Sequence, residues 1–282
     1  MKLAVFTVML PDLNKEQTLA ALKKYGYDGV EWRVKTTDPM THHEAPSFWG
    51  NNLSTVSTDS TDDELDSLKK GADQVGLVVP NLATYLSCGD LEAVERGMRI
   101  AKRLGAPSLR IGVPEYNRTK SYSELFAEAK IYLHHVEELS KHYGIKGMIE
   151  THMFRISASA SAAFLLVNGF DPDYIGVIYD PGNMVQEGYE QYRMGLELLG
   201  PYLGHVHVKN AIWKLSDATN PQNFNWEVEW CRIDRGIVSW DQVINDLKAI
   251  GYDNWLSFED FSQSGTSEEL LKRNLNYIKS LL

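Results

Sequence analysis

Short apolar runs alternate with stretches of helical periodicity along the whole chain. An apolar run bounded by turn residues is typical of a buried strand, whereas apolar residues three and four apart indicate an amphipathic helix. This pattern predicts eight strands, at residues 3–8, 29–34, 77–84, 107–113, 146–152, 175–180, 204–210 and 254–260.

Between these strands, helical periodicity is clearest at residues 15–25, 119–143, 239–250 and 267–281. Alternation of this kind predicts an α/β fold, a (β/α)8 TIM barrel that forms a single domain over residues 1–282. A doubly wound sheet is the alternative. The sequence has neither a G-x-G-x-x-G after the first strand nor a Walker loop, and both absences favour the barrel.

Composition narrows the class of protein. A hydrophobic content of 43% and a charged content of 23% are typical of a soluble globular chain. No apolar run is long enough to span a membrane. The start lacks a cleavage site, and Cys88 and Cys231 have no metal or redox spacing, so we expect a cytoplasmic location. A net charge of −10 argues against nucleic acid or an anionic membrane as partner. It is compatible with a local basic pocket that binds a phosphorylated small molecule.

Metal-capable side chains stand at the predicted ends of the last four strands, where TIM barrels carry their sites. They are Glu150, Asp180, His207 and Glu259. Two glutamates, an aspartate and a histidine form an oxygen-rich set that suits Mn²⁺, Mg²⁺, Co²⁺ or Zn²⁺. Singly, each has a simpler explanation, such as an N-cap or a core histidine. Their occurrence at four consecutive strand ends is hard to explain by capping and predicts a divalent metal site.

Side-chain alternation refines this set. His205 and His207 lie two apart and share a face, with His207 nearer the carboxyl end and therefore the better ligand. By the same alternation, His152 shares a face with Glu150 and could approach a substrate or a second metal. Lys209 shares the face of His207 nearer the rim, where it could bind a hydroxyl or phosphate oxygen.

Two charged residues inside predicted strands have a structural explanation. Glu31 and Arg110 both lie in mid-strand, and a buried charge needs a partner of opposite sign. We therefore favour an interior ion pair between them over contacts with a substrate or a phosphate.

The segments IETH, YDPGN, GHVHVKN and SFED resemble the four ligand segments of the sugar isomerase/epimerase superfamily with a xylose-isomerase-like TIM barrel. YGYDGVEW near the start and GIVSWDQVINDLKAIGYDNWLSFE near the end match its flanking segments. The resemblance therefore covers nearly the whole chain. It implies a metal-dependent isomerase or epimerase of a ketose, a polyol ketone or a sugar phosphate.

The resemblance also implies roles for single residues. One divalent ion, with Mn²⁺ favoured, would be held by Glu150, Asp180, His207 and Glu259. The two glutamates would also be catalytic. One would remove the proton next to the carbonyl to give a metal-stabilised enediolate, and the other would return a proton.

Three positions depart from the superfamily's tagatose-type 3-epimerases. Asn183 stands where they often have a histidine, Arg155 where they usually have an acid, and Asn210 where an aspartate is common. These departures leave the metal site intact and argue against that specific activity. We predict Asn183 and Arg155, with His152 and Lys209, as substrate-binding residues.

Two long excursions interrupt the pattern, at residues 35–60 and 211–237. The second carries Trp213, Phe224, Trp226 and Trp230. We predict a cover whose aromatic rings stack on the apolar face of a sugar, with Trp213 in contact with the substrate. The same rings could instead form a contact between copies of the chain, and the sequence is therefore also compatible with a homo-oligomer.

Three other functions compete with an isomerase. The same site could dehydrate a keto-polyol such as inosose, because the same enediolate can expel a β-hydroxyl. A nuclease like the apurinic endonucleases would need three zinc ions, more histidines and a basic face. A barrel that binds a sugar without turnover would be expected to have a damaged site, and this set of residues is complete.

Overall fold

The structure, a computed structural model, describes residues 1–216 and 225–282. Its strands are β1 (Lys2–Phe6), β2 (Gly29–Val34), β3 (Leu82–Thr84), β4 (Ser108–Arg110), β5 (Lys146–Glu150), β6 (Ile175–Tyr179), β7 (Leu203–Val208), β8 (Ala211–Leu215), β9 (Trp226–Trp230) and β10 (Trp255–Phe258). All except β8 and β9 form one closed parallel barrel, in which neighbours follow the chain order and β10 pairs with β1. The predicted single-domain TIM barrel is confirmed.

Helices surround this barrel. They are α1 (Lys15–Tyr25), α2 (Asp62–Val75), α3 (Leu91–Leu104), α4 (Tyr122–Tyr143), α5 (Ala160–Val167), α6 (Pro181–Glu187), α7 (Tyr192–Leu199), α8 (Trp240–Ala249) and α9 (Ser267–Leu281). Capping boxes begin several of them: Ser121, for example, accepts from the backbone of Glu124, so α4 begins after it rather than at residue 119. Within the described ranges, no helix is both long and apolar enough to cross a membrane.

The core fills the barrel and the layer between strands and helices. Trp32 of β2, Phe258 of β10 and Trp240 of α8 are fully buried. Strand β3 is shorter than predicted, because the predicted run of residues 77–84 contains Pro80, which has no N–H to donate to the ladder. Polar side chains are buried among the barrel strands as well, and Glu31, Arg33 and His205 are examples.

The two excursions differ in structure. Residues 35–60 contain a 3-10 turn at Pro39–His43 and return to the barrel where Val56 bridges to Val34. In the second excursion, β8 and β9 form an antiparallel hairpin that the sequence pattern did not predict. Phe224 lies outside the described residues.

Candidate metal centre

The four predicted ligands come together at one end of the barrel. Glu150 ends β5, His207 lies in β7, and Asp180 and Glu259 directly follow β6 and β10. Each offers one ligand atom, and these atoms all lie within 4.8 Å of one another. All four side chains are buried. Burying three carboxylates together costs several kcal/mol each unless positive charge compensates them, as a divalent cation would.

Asp180 shows the fit to a cation most clearly. Its Oδ1 accepts from the backbone N–H of Asn183 at 2.9 Å and so caps α6. Its Oδ2 is buried and accepts no hydrogen bond; the nearest cations are Lys209 Nζ at 3.6 Å and His207 Nδ1 at 3.9 Å. Burial, only partly opposed by Lys209, raises the pKa of Asp180 to about 7. A carboxylate oxygen left without a partner in this position suits a metal ligand.

His207 lies between two carboxylates. Its Nδ1 is 2.7 Å from Glu150 Oε1, and its Nε2 is 3.3 Å from Glu31 Oε1. Burial alone lowers the pKa of His207, but the carboxylates of Glu31 and Glu150 raise it well above the usual histidine value. Because Nδ1 faces the other ligands, it is the nitrogen available to a cation, while Glu31 orients the ring from the opposite side.

The predicted ion pair between Glu31 and Arg110 is wrong. Glu31 contacts His205 at 3.1 Å and accepts from the Asn81 amide at 2.6 Å, in addition to its contact with His207. Arg110 instead donates to Glu150 Oε2 at 2.6 Å. The reason is topological: β4 pairs with β3 and β5, not with β2, so its arginine meets the acid at the end of β5.

Arg110 controls the state of Glu150. Burial raises the pKa of Glu150, but Arg110 and His207 together lower it well below the usual range, so the carboxylate is charged. The guanidinium also donates from Nε to the Thr84 carbonyl and lies 5.0 Å from the ring centroid of Tyr85. These contacts hold the guanidinium in place, and through it the carboxylate of Glu150.

Lys209 pairs with Glu259 in the same way that Arg110 pairs with Glu150. Its buried ammonium donates to Glu259 Oε2 at 2.6 Å and to Asn183 Oδ1 at 2.9 Å. It lies over the rings of Trp230 and Phe261, at 4.5 and 4.8 Å from their centroids. Two carboxylates of the cluster are therefore each held by one cation.

A cavity of about 860 Å³ opens from this centre. Of the four ligands, Glu150 and Glu259 line it, whereas Asp180 and His207 are not among its lining residues in the described chain. Trp49, whose ring is 5.0 Å from that of Phe261, also lines the cavity and is 55% exposed. The two glutamates are thus the ligands in contact with the space that a substrate would enter.

The predicted substrate-binding residues occupy different positions. His152, Arg155 and Lys209 line the cavity. Asn183 is buried beside it, and its amide donates to the Thr151 carbonyl at 3.2 Å. Trp213 lies in β8, where its indole N–H donates to the Val185 carbonyl at 3.1 Å, and it is not among the described residues that line the cavity.

Arg155 is occupied by its own chain. It donates to the Val113 carbonyl at 2.6 Å and to Glu115 at 3.0 Å, so it joins the connection after β5 to the one after β4. Burial lowers its pKa from the usual arginine value. A contact with a substrate would therefore share this guanidinium with Glu115.

Sequence reasoning missed three residues of the site. Glu31 and Arg110 were assigned to each other rather than to the metal ligands, and Trp49 was not considered. Arg110 ends β4 and Glu150 ends β5, and these two strands are neighbours in the barrel. Nothing in the sequence indicates that Trp49, in a long connection, approaches the centre.

Cation binding to the metal-free protein is expected to release roughly one to two protons near pH 7. Asp180 and His207 have raised pKa values, so both hold protons that a bound cation must displace. The apparent affinity should therefore rise with pH. Calorimetric titration with Mn²⁺ in buffers of different ionisation enthalpy measures the release. An affinity that is constant between about pH 6 and 8, with no proton released, would contradict this prediction.

Comparison with known proteins agrees with the fold. A family described as xylose isomerase-like TIM barrel matches residues 19–281. Curated proteins give no match. Solved structures similar to this one include the IolI protein with a bound zinc atom, at 18% identity and a TM-score of 0.75, which covers 100% of this chain and 99% of its own.

Two epimerase structures are also similar. A D-psicose 3-epimerase determined in the presence of D-fructose has 15% identity and a TM-score of 0.71, with 100% of this chain and 99% of its own covered. The 3-keto-D-glucoside 4-epimerase YcjR from E. coli has 14% identity and a TM-score of 0.73, with 99% of each chain covered. At these identities the likeness concerns the fold. With the family match over nearly all of its length, this chain belongs to the xylose isomerase-like TIM barrel family.

Proposed function

We propose that this protein is a divalent-metal-dependent isomerase or epimerase that acts on a ketose or a related polyol ketone. The observation that carries the proposal is that two carboxylates of the metal cluster, Glu150 and Glu259, line the same cavity. Removal of a proton from one face of a carbon and return of a proton to the other face, as in epimerisation, use two such groups close to the substrate. The epimerases with the same fold act, by their names, on keto sugars, which supports this substrate class.

The metal would be held by Glu150, Asp180, His207 and Glu259. A divalent cation bound there would polarise a carbonyl oxygen and lower the energy of the negative charge that develops on it. Three oxygen ligands and one nitrogen suit Mn²⁺, which we favour, and also Mg²⁺, Co²⁺ or Zn²⁺. The zinc atom in the similar IolI structure keeps zinc among these candidates.

The residues of this chain would move the proton. One of the two glutamates removes it from the carbon next to the carbonyl, which leaves an enediolate, and the other returns a proton to the same or the adjacent carbon. Arg110 and Lys209 fix the two carboxylates through hydrogen bonds of 2.6 Å each, so little reorientation is needed during the reaction.

Other residues would bind and cover the substrate. We assign His152, Lys209 and Arg155 to the substrate's hydroxyl groups, because they line the cavity. Asn183 would act through Lys209, to which its amide oxygen is bonded. Trp213 would contribute as part of the cover formed by the β8–β9 hairpin.

Hydrogen exchange tests this function. The Mn²⁺-loaded protein is incubated in deuterium oxide with D-fructose, D-allulose and D-tagatose, and the sugars are analysed by NMR. Deuterium is expected at the carbon next to the carbonyl together with a new isomer, and neither should form with metal-stripped protein. Loss of water with a new ultraviolet absorbance would identify a dehydratase instead. No reaction of any ketose at a fully loaded metal site would contradict the proposal.

A further inference from the structure

The cavity at the metal centre extends far beyond the two glutamates. It is lined by Glu150 and Glu259, at the carboxyl ends of β5 and β10, and also by Leu125 of α4. Because the helices surround the strands, the cavity runs outward between the connections that follow β3 and β4. Its volume of about 860 Å³ lies near the top of the roughly 300–1,000 Å³ range for drug-sized ligands. A single six-carbon sugar at the metal leaves most of it unfilled.

The outer part of this cavity has the surface chemistry of a carbohydrate site. We call it the outer cleft, and its walls are formed by Leu86, Ser87, Cys88, Val113, Pro114 and Thr119. A sugar ring presents apolar C–H faces and a rim of hydroxyl groups. Apolar walls with a few hydroxyl groups match both of these features.

The charges around the cavity are already paired. Four lysine and arginine side chains and four glutamates of the described chain line it. Each cation is bound to one of these glutamates: Arg110 to Glu150 at 2.6 Å, Lys120 to Glu128 at 2.5 Å, Arg155 to Glu115 at 3.0 Å, and Lys209 to Glu259 at 2.6 Å. A phosphate or carboxylate on the substrate would compete with one of these glutamates for its cation, whereas hydroxyl groups would not.

From this geometry we infer that the substrate is an uncharged keto-sugar larger than one ring, a glycoside or disaccharide. Its keto-sugar unit lies at the metal centre, and its second unit lies in the outer cleft. This inference rests on the proposed function and specifies its substrate class.

Binding of matched sugars tests the inference. The Mn²⁺-loaded protein is titrated with D-fructose, with the keto-disaccharides lactulose and isomaltulose, and with D-fructose 6-phosphate. At least one disaccharide is expected to bind about tenfold or more tightly than D-fructose, and the phosphate should give no such gain. Equal affinity for D-fructose and both disaccharides would overturn the inference that the substrate is larger than one ring. A tenfold preference for the phosphate would overturn its neutrality.

Two further readouts locate the second unit. Cys88 lies in the outer cleft and Cys231 does not line the cavity, so a bound disaccharide should slow alkylation of Cys88 alone. Ser87→Trp should reduce the disaccharide-to-fructose affinity ratio about tenfold. Thr119→Trp, at another residue that lines the outer cleft, should do the same. Ser280→Trp, at the exposed end of α9, is the matched control and should leave the ratio unchanged.

The outcomes separate this inference from the proposed function. If D-fructose exchanges hydrogen with solvent and the disaccharides have no advantage, the inference alone fails. If no sugar binds to protein that carries its metal, both fail. If a disaccharide binds tightly but Ser87→Trp and Thr119→Trp leave the ratio unchanged, the outer cleft is the wrong location.

Discussion

Glu259→Gln is expected to lower the turnover of a reacting ketose roughly 10²- to 10⁴-fold, the range for loss of a general acid or base. Glutamine keeps the size of the side chain and one oxygen but cannot accept the proton from carbon. Glu259 lines the cavity, and its Oε2 accepts from Lys209 at 2.6 Å. The metal content of the variant is measured beside its steady-state kinetics, so that loss of a ligand is distinguished from loss of proton transfer.

Asp260→Asn is the matched control for this variant. Asp260 is the next residue and is also buried, but its carboxylate accepts from Asn274 at 2.8 Å and from the backbone of Ser262 at 2.9 Å. It is not among the described residues that line the cavity. Turnover close to that of the unmodified protein is expected. Equal losses in both variants would show that the effect is structural, and an active Glu259→Gln variant would remove Glu259 from the mechanism.

Arg110→Met is expected to lower the free energy of unfolding of the metal-free protein by about 3–5 kcal/mol, the cost of breaking a buried ion pair. The variant leaves the Glu150 carboxylate buried without the guanidinium that now lies 2.6 Å away. It also removes the contact of that guanidinium with the ring of Tyr85. Urea unfolding followed by circular dichroism measures the change.

A double-mutant cycle isolates the charge interaction. In a Glu150→Gln background, Arg110→Met should cost much less, because no carboxylate is then left unpaired. Arg103→Met, which breaks exposed pairs with Asp62 and Asp66, is the surface control and should cost under about 1 kcal/mol. Strictly additive effects of the Arg110 and Glu150 substitutions would contradict the pairing.

The metal cluster could be predicted from the sequence because parallel strands place their carboxyl ends together. Once eight strands were identified, Glu150, Asp180, His207 and Glu259 had to meet at one rim, and their ligand atoms do lie within 4.8 Å of one another. The structure also shows that an N-cap and a place in the cluster are compatible for Asp180. One of its oxygens caps α6, and the other faces the cluster.

Other features depend on contacts that the local pattern does not encode. Arg110 reaches Glu150 because β4 and β5 are adjacent in the barrel. Glu31 contacts His205 and His207 because both of these side chains on β7 point towards it. The approach of Trp49 to Phe261 joins a long connection to the end of β10, and no periodicity specifies such a contact. In the sequence, residues 216–225 separate β8 from β9, and this connection is longer than the two- to five-residue loops by which hairpins are recognised.

The central claim is that one divalent cation binds at the four converging side chains. Elemental analysis of the purified protein after reconstitution with Mn²⁺ tests it, beside an Asp180→Asn, His207→Ala double variant. We predict about one equivalent of metal per chain in the protein and loss of that metal in the variant. No bound metal after reconstitution, or the same metal content in the double variant, would contradict the account.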